Sequence, residues 1–170
     1  WAGEPTAKYV RGTDSWDKLF KGKEVRNLGF GWDRIENALW RIYHGELDGY
    51  QAEKVILLMG TNNLDKNTDD EIIDGINELV RAVRHRQPKA EIYVAGILPR
   101  AGKEARLVRL NKALQVRLLN EEATYIEMST EVTHPDGKII KELFTDGLHP
   151  NKEGYQRMAK MLEKAIMKQK

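Results

Sequence analysis

An aspartate is followed three residues later by a histidine in the run Asp146-Gly-Leu-His149. One tight turn could place both side chains so that the carboxylate holds one ring nitrogen and stabilises the imidazolium. The other ring nitrogen could then take a proton from a nucleophile. The spacing is therefore compatible with a proton-accepting histidine at position 149 that Asp146 orients. An ordinary turn remains the alternative, because Asp-Gly pairs are common in turns.

A second motif, Gly60-Thr-Asn-Asn63, follows the most apolar stretch of the chain. A glycine at this point lets the backbone approach a ligand closely. The side-chain amide of Asn62 could donate a hydrogen bond to a developing oxyanion, and one such donor contributes roughly 3 kcal/mol to catalysis. The alternative is a loop that only turns the chain and caps the next helix.

A third motif places two glycines, Gly29 and Gly31, directly before Trp32 and Asp33. Between a strand and a helix, backbone N–H groups near Gly29 could face an anion at the helix N-terminus. A dinucleotide site would require a third glycine at the position of Arg34, so the motif disfavours that function. Two glycines that merely ease a tight turn remain the alternative.

Composition excludes several classes of protein. The chain has 170 residues, of which 41% are hydrophobic and 32% charged, and this balance is typical of one globular domain. With 28 basic and 26 acidic residues the net charge is +2, which predicts no nucleic-acid partner. No apolar run reaches the ~18 residues of a membrane span. The absence of cysteine and of zinc-ligand spacing among the four histidines predicts no metal.

Short apolar runs alternate with amphipathic stretches along the chain, which predicts a parallel sheet covered by helices on both faces. We expect the strand 54–59 to be buried on both faces, Asp33 to cap a helix that runs to about His44, and Thr68 or Asn67 to cap the next helix. The active site of such a fold lies at the carboxyl ends of the strands. The predicted strands cover residues 25–29, 54–59, 91–97 and 124–128, and the loops expected at the site cover residues 29–33, 60–67 and 97–102.

Taken in order, the motifs resemble the conserved blocks of the SGNH hydrolase superfamily of GDSL esterases and lipases, in its platelet-activating-factor acetylhydrolase-like branch. Residues 27–33 resemble the second block, residues 59–63 the third and residues 146–151 the fifth. Residues 39–46 and 96–100 are similar to the helix and the strand end found between them in the family. The resemblance implies a three-layer α/β/α, flavodoxin-like fold with residues 1–170 in a single domain.

The resemblance also implies roles for individual residues. Gly29 would donate a backbone N–H and Asn62 a side-chain N–H to an oxyanion, while Asp146 would orient His149 as general base. The protein would be a serine esterase that removes small acyl groups, acetyl above all, from a carbohydrate or other polar ester, without a cofactor; a homo-oligomer is compatible with this function. The residues implied to line the substrate pocket are Trp32, Leu64 and Arg100.

The chain departs from the family in its first block, Gly-Asp-Ser, which supplies the nucleophile and ends the first strand. Its two serines are Ser15 and Ser129, and Ser15 precedes Trp16 as the start of a short helix would. Because the chain begins at Trp1 rather than methionine, we expect the first strand and the nucleophilic serine to lie upstream, and the sequence assigns no compartment.

Two other functions stay open. The first is a catalytically inactive relative that binds an acylated carbohydrate or a protein. The second is a flavodoxin-like nucleotide or flavin binder, although no Walker or three-glycine loop supports it.

Overall fold

The computed structural model describes residues 13–118 and 122–167. Helices and strands alternate along these residues, so the predicted α/β class is confirmed. Two short 3₁₀ helices, Thr61–Asn63 and Lys141–Leu143, accompany them. The helices are α1 (Thr13–Leu19), α2 (Ile35–Tyr43), α3 (Asp69–Arg86), α4 (Glu104–Leu118) and α5 (Lys152–Met167), and the strands are β1 (Lys54–Leu57), β2 (Glu91–Ala95) and β3 (Thr124–Ile126).

The described residues group into two compact units, each assembled from separate stretches of the chain. The first contains residues 13–31, 98–107 and 127–167, and the second contains residues 32–97, 108–118 and 122–126. The organisation of residues 1–170 as one domain stays a prediction. Within the described parts, no helix has the length and apolar character that crossing a membrane would require.

The second unit is built around a parallel sheet in the order β1-β2-β3. Lys54 of β1 pairs with Glu91 of β2, and Ala95 of β2 pairs with Ile126 of β3. The central strand β2 is buried from Ile92 to Ala95, because helix-covered parallel strands are apolar on both faces. The side chains that α3 buries recur at helical spacing: Ile72, Ile73, Ile76, Asn77, Leu79, Val80, Ala82 and Val83.

Strand β1 is shorter and more exposed than the sequence predicts. It ends at Leu57, and each of residues 54–59 is half-buried rather than buried on both faces. The physical reason is its place in the sheet: among the described residues β1 pairs with β2 alone and forms an edge. Its other side carries no neighbouring strand there that would cover these apolar side chains.

The predicted strand at residues 25–29 is absent from the structure. Residues 24–30 have no regular secondary structure, and Val25 is 40% exposed. An extended segment becomes a strand only when its N–H and C=O groups join a neighbouring ladder, and no described residue pairs with this one. The prediction of a strand there is therefore wrong for the described molecule.

Helix α2 begins one residue later than the sequence predicts, and its N-cap is Arg34 instead of Asp33. The N–H of Arg34 donates to Asn37 Oδ1 at 3.1 Å. Asp33 is engaged elsewhere, since its Oδ2 lies 2.6 Å from Nη2 of Arg41, a guanidinium that also bonds Glu46 at 2.7 Å through Nε. This mostly buried ion-pair cluster competes for the carboxylate that would otherwise cap the helix.

The start of α3 agrees with the sequence. Thr68 is the N-cap, and its Oγ1 accepts from the N–H of Glu71 at 3.3 Å. The Glu71 carboxylate reaches back to the N–H of Thr68 at 2.8 Å, which completes a capping box. The backbone hydrogen bond from Thr68, followed by the bonds from its side chain and from Asn67, lowers the pKa of Glu71 below its usual value.

Candidate active site

The predicted acid–histidine motif forms a tight turn in the first unit. The carbonyl oxygen of His149 accepts two hydrogen bonds from Thr145, from its N–H at 2.9 Å and from its Oγ1 at 3.1 Å. Gly147 lies inside the turn at φ +76°, where an added Cβ would meet the Cβ of Ala101 at 2.9 Å. The turn thus needs a glycine at this position both for its backbone angle and for its packing.

The Asp146 carboxylate organises this turn. Its Oδ1 accepts from the backbone N–H groups of Leu148 at 3.0 Å and His149 at 2.8 Å, and its Oδ2 lies 2.7 Å from His149 Nδ1. Burial acts to raise the pKa of Asp146, but the hydrogen bonds from the His149 ring and from the two backbone N–H groups lower that pKa to about 2. The carboxylate is therefore ionised at neutral pH and holds the ring in one orientation.

An ionised acceptor at Oδ2 assigns the donor role to His149 Nδ1, which leaves Nε2 as the proton acceptor of the neutral ring. No described residue forms a hydrogen bond with Nε2. The His149 side chain is 38% exposed, so this nitrogen can be reached from outside. The arrangement has the geometry of a general base that is oriented by a carboxylate.

The loop that carries Arg100 lies beside this turn in the first unit. The N–H of Ala101 donates to the carbonyl oxygen of Gly147 at 2.8 Å, and the N–H of Lys103 closes the loop on the carbonyl oxygen of Arg100 at 2.9 Å. Arg100 itself is half-buried. The structure therefore brings residues 98–102, part of a loop expected at the site, next to the Asp146–His149 pair.

Gly29 lies in the exposed segment that precedes α2. Its N–H donates to Asn27 Oδ1 at 3.1 Å. An oxyanion would have to take the place of that side-chain oxygen to receive the same N–H. The role of Gly29 as an oxyanion donor stays a prediction.

Asn62 lies in the second unit, in the 3₁₀ helix that follows β1. Its Nδ2 donates one hydrogen bond to the carbonyl oxygen of Asp33 at 2.8 Å. An amide nitrogen carries two hydrogens, so one N–H remains for another acceptor. The loop begins at Gly60 with φ +115°, and an added Cβ there would meet Ile97 Cδ1 at 2.7 Å, which confirms that the backbone needs a glycine at this point.

Asn63 is a residue whose part in this loop the sequence motif did not single out. It is 3% exposed and is fully hydrogen-bonded. The only signal in the sequence is the second of two adjacent asparagines after Gly60, and that pattern does not reveal the partners of a side chain.

The remaining predicted pocket residues occupy contrasting environments in the second unit. Trp32 is 91% exposed and has φ 66°, a left-handed conformation that is strained for a bulky residue. Leu64 is 2% exposed and packs in the core. Their contribution to a substrate pocket stays a prediction.

Neither serine of the printed sequence is placed as a nucleophile for His149. Ser15 is 5% exposed within α1, and no described residue bonds its Oγ. The Oγ of Ser129 donates to the Glu127 carboxylate instead. The described residues also contain no group of three or more acidic or histidine side chains that could hold a metal ion.

Comparison with known proteins defines the class to which this chain belongs. The model of the GDSL-like lipase/acylhydrolase family matches residues 2–157, and the chain belongs to this family. Among curated proteins, the chain is 31% identical to the platelet-activating factor acetylhydrolase IB subunit alpha2 of Rattus norvegicus over an alignment of 172 positions that covers 98% of this chain and 75% of that protein. The predicted family, including its platelet-activating-factor acetylhydrolase-like branch, is therefore confirmed.

Solved structures show the same fold. A GDSL-like lipase from Bacteroides thetaiotaomicron has a TM-score of 0.73 at 19% identity and covers 96% of this chain and 91% of its own. A carbohydrate esterase of family 3 from Talaromyces cellulolyticus has a TM-score of 0.68 at 18% identity and covers 86% of this chain and 75% of its own. The chain thus has the α/β fold of SGNH/GDSL hydrolases.

Proposed function

We propose that this protein hydrolyses carboxylic esters by a Ser-His-Asp mechanism and removes a small acyl group, acetyl above all, from a carbohydrate or other polar alcohol. The observation that carries the proposal is the Asp146–His149 pair at 2.7 Å, with Nε2 of the ring available to a nucleophile. Membership of an acylhydrolase family supports ester hydrolysis. The names of two similar proteins, an acetylhydrolase and a carbohydrate esterase, favour the acetyl group and the sugar alcohol.

In the proposed reaction, a serine hydroxyl attacks the ester carbonyl as its proton passes to Nε2 of His149. The tetrahedral intermediate collapses when that proton moves to the leaving alcohol, and an acyl-serine remains. Water then attacks the acyl-serine while His149 takes a proton from it. The proton returns to the serine as the acid departs, so the histidine and the serine end as they began.

The oxyanion in this reaction would accept hydrogen bonds from the backbone N–H of Gly29 and from the second N–H of Asn62. Each preorganised donor contributes roughly 3 kcal/mol to lowering the barrier. Trp32, Leu64 and Arg100 would surround the acyl or alcohol group. Arg100 is half-buried in the loop that bonds the Asp146–His149 turn, and a guanidinium suits a polar alcohol because it carries N–H donors.

We further propose that the nucleophilic serine is supplied by residues that precede Trp1. Ser15 is buried within α1, and the Oγ of Ser129 is bonded to Glu127, so neither hydroxyl is offered to His149. The edge position of β1 supports the same proposal, because within the described part of the chain this half-exposed apolar strand pairs with β2 alone and could pair with one more strand.

The natural-length protein provides the test. A fluorophosphonate probe should label one serine upstream of Trp1, and p-nitrophenyl acetate should be hydrolysed faster than esters of longer acids. His149→Ala should abolish both reactions with little loss of thermal stability, because the ring is partly exposed. Labelling that persists in this variant would remove His149 from the mechanism. A natural-length protein that neither labels nor hydrolyses any ester would instead favour the inactive binding relative.

A further inference from the structure

We infer that Asn63 is a positioning residue that holds Asn62 in the orientation required of an oxyanion donor. The inference rests on the proposed function of Asn62, and it concerns contacts that lie wholly within the second unit. Asn63 is 3% exposed and so does not itself meet the substrate. Its effect on catalysis must pass through its neighbours.

The side chain of Asn63 joins two segments that are distant in sequence. Its Oδ1 accepts from the N–H of Ile35, the first residue of α2, at 3.0 Å. Its Nδ2 donates to Glu36 Oε2 at 3.0 Å and to Asn67 Oδ1 at 2.9 Å. One amide therefore ties the loop after β1 to the first turn of α2.

Asn62 contacts the residue just before the N-cap of α2 from the adjacent position in the loop. Its Nδ2 donates to the carbonyl oxygen of Asp33, two residues before the N–H that Asn63 accepts. The plane of the Asn62 amide is thus set by the Asp33 carbonyl. The position of that carbonyl depends on the hydrogen bonds of Asn63 with Ile35 and Glu36. Asp33 is also held through its carboxylate by Arg41, so loss of the Asn63 hydrogen bonds shifts its carbonyl rather than freeing it, and this shift redirects the second N–H of Asn62.

Only an amide satisfies all three partners of Asn63. The site needs one acceptor for the Ile35 N–H and two donors for the Glu36 and Asn67 oxygens, which is what asparagine offers at this length. An aspartate of the same shape would turn an oxygen towards the Glu36 carboxylate and the Asn67 oxygen. Hydrogen-bond acceptors would then face each other in a buried position, where an unsatisfied polar group lowers the stability of the fold.

This pattern of donors and acceptors around Asn63 suggests a test in which a second substitution reverses the effect of the first. In the natural-length protein, Asn63→Asp should lower kcat for p-nitrophenyl acetate by about 10- to 100-fold, a part of the 10²- to 10³-fold loss expected when an oxyanion donor is removed. KM should change by less than about threefold. Adding Glu36→Gln supplies a donor opposite the new carboxylate, so the double variant should recover most of the lost kcat.

Asn77→Asp is the matched control, because Asn77 is another buried asparagine of the second unit, 7% exposed within α3, and its Oδ1 forms no hydrogen bond with the loop or with any other described residue. It should lower the melting temperature but leave kcat within about twofold of wild type. A purely structural role for Asn63 predicts the same pattern for both variants. Equal kcat in Asn63→Asp and Asn77→Asp would therefore overturn the inference.

A second measurement separates this inference from the proposed function. The NMR coupling through the hydrogen bond between Asn62 Nδ2 and the Asp33 carbonyl should vanish in Asn63→Asp and return with Glu36→Gln. A coupling that survives Asn63→Asp refutes the positioning role even if the enzyme is active. Loss and return of the coupling in a protein without esterase activity refutes the proposed function and supports the positioning role.

A second variant covers the case in which Asn63→Asp does not fold. Glu36→Lys, at a half-exposed side chain, should weaken the same hydrogen-bond coupling, and an unchanged coupling would refute the inference.

Discussion

Replacing Asp146 with asparagine tests the centre of the proposed mechanism while preserving the shape of the side chain. The variant Oδ1 must keep facing the N–H groups of Leu148 and His149, because turning the amide would point its N–H groups at two donors. Its Nδ2 therefore faces His149 Nδ1, which now has to accept a hydrogen bond. The ring proton moves to Nε2, and the nitrogen that should take the proton of the nucleophile is blocked.

The expected loss of activity is large and the expected loss of stability is small. The matching substitution in the serine-protease triad lowers kcat by about 10⁴-fold, and we expect a similar loss here. The Asp146 pKa falls from 3.8 to about 2 through its hydrogen bonds. At 1.36 kcal/mol per pKa unit the full effect would be about 2.5 kcal/mol. Because the side chain is 51% exposed, solvent screening reduces our expectation to about 1 kcal/mol.

The pH dependence of that stability has a definite sign. A carboxyl group whose pKa is lower in the folded state stabilises the fold when ionised. The contribution of Asp146 is therefore complete above its unfolded pKa of 3.8 and disappears as the pH falls through the folded pKa of about 2. The difference in unfolding free energy between wild type and Asp146→Asn should be constant near neutral pH and should vanish towards pH 2.

The assay uses natural-length protein, with initial rates on p-nitrophenyl acetate and urea unfolding across this pH range. Asp136→Asn is the control, because Asp136 also accepts a backbone N–H in a turn, from Lys138 at 3.0 Å, and has no contact with His149. The control should keep wild-type kcat. A kcat in Asp146→Asn within tenfold of wild type would refute the role of this carboxylate in orienting the base.

Three further predictions concern loops that the sequence expects at the site and the helix that follows one of them. Thr68→Ala removes the N-cap of α3 and should cost about 1 kcal/mol, seen as a melting temperature about 2–4 °C lower; an unchanged melting temperature would contradict the importance of this cap. Gly147→Ala must strain φ +76° and press on Ala101, so it should lower both the melting temperature and kcat, whereas Gly22→Ala, which has φ +73° and meets no neighbour, should lower only the melting temperature. Trp32→Ala should leave the unfolding free energy within about 0.5 kcal/mol because the side chain is 91% exposed; a raised KM for the ester would support a substrate contact, and an unchanged KM would argue against one.

Local interactions explain which features the sequence could predict. The Thr68 cap depends on Glu71 three residues away, and the Asp146–His149 pair is likewise formed within one turn. Neither needs a distant partner to reach its geometry. These are the features for which residue type and spacing alone carry the information.

The features that the sequence could not predict depend on contacts between distant residues. Asp33 was expected to cap α2, but its carboxylate forms an ion pair with Arg41 further along that helix. Residues 25–29 have the composition of a strand without a described ladder to join. The contacts of Asn63 with Ile35 and Glu36 span about 28 residues of sequence, so no local pattern could reveal them.

The edge position of β1 among the described strands has a practical consequence for anyone who handles this polypeptide. An apolar strand at the edge of a sheet is a template on which other chains can add strands. Fragments that leave this edge uncovered should therefore aggregate in proportion to their concentration, and a synthetic peptide able to pair with the Lys54–Leu57 backbone should slow that aggregation. Fragment boundaries for expression are best chosen by whether they cover this edge.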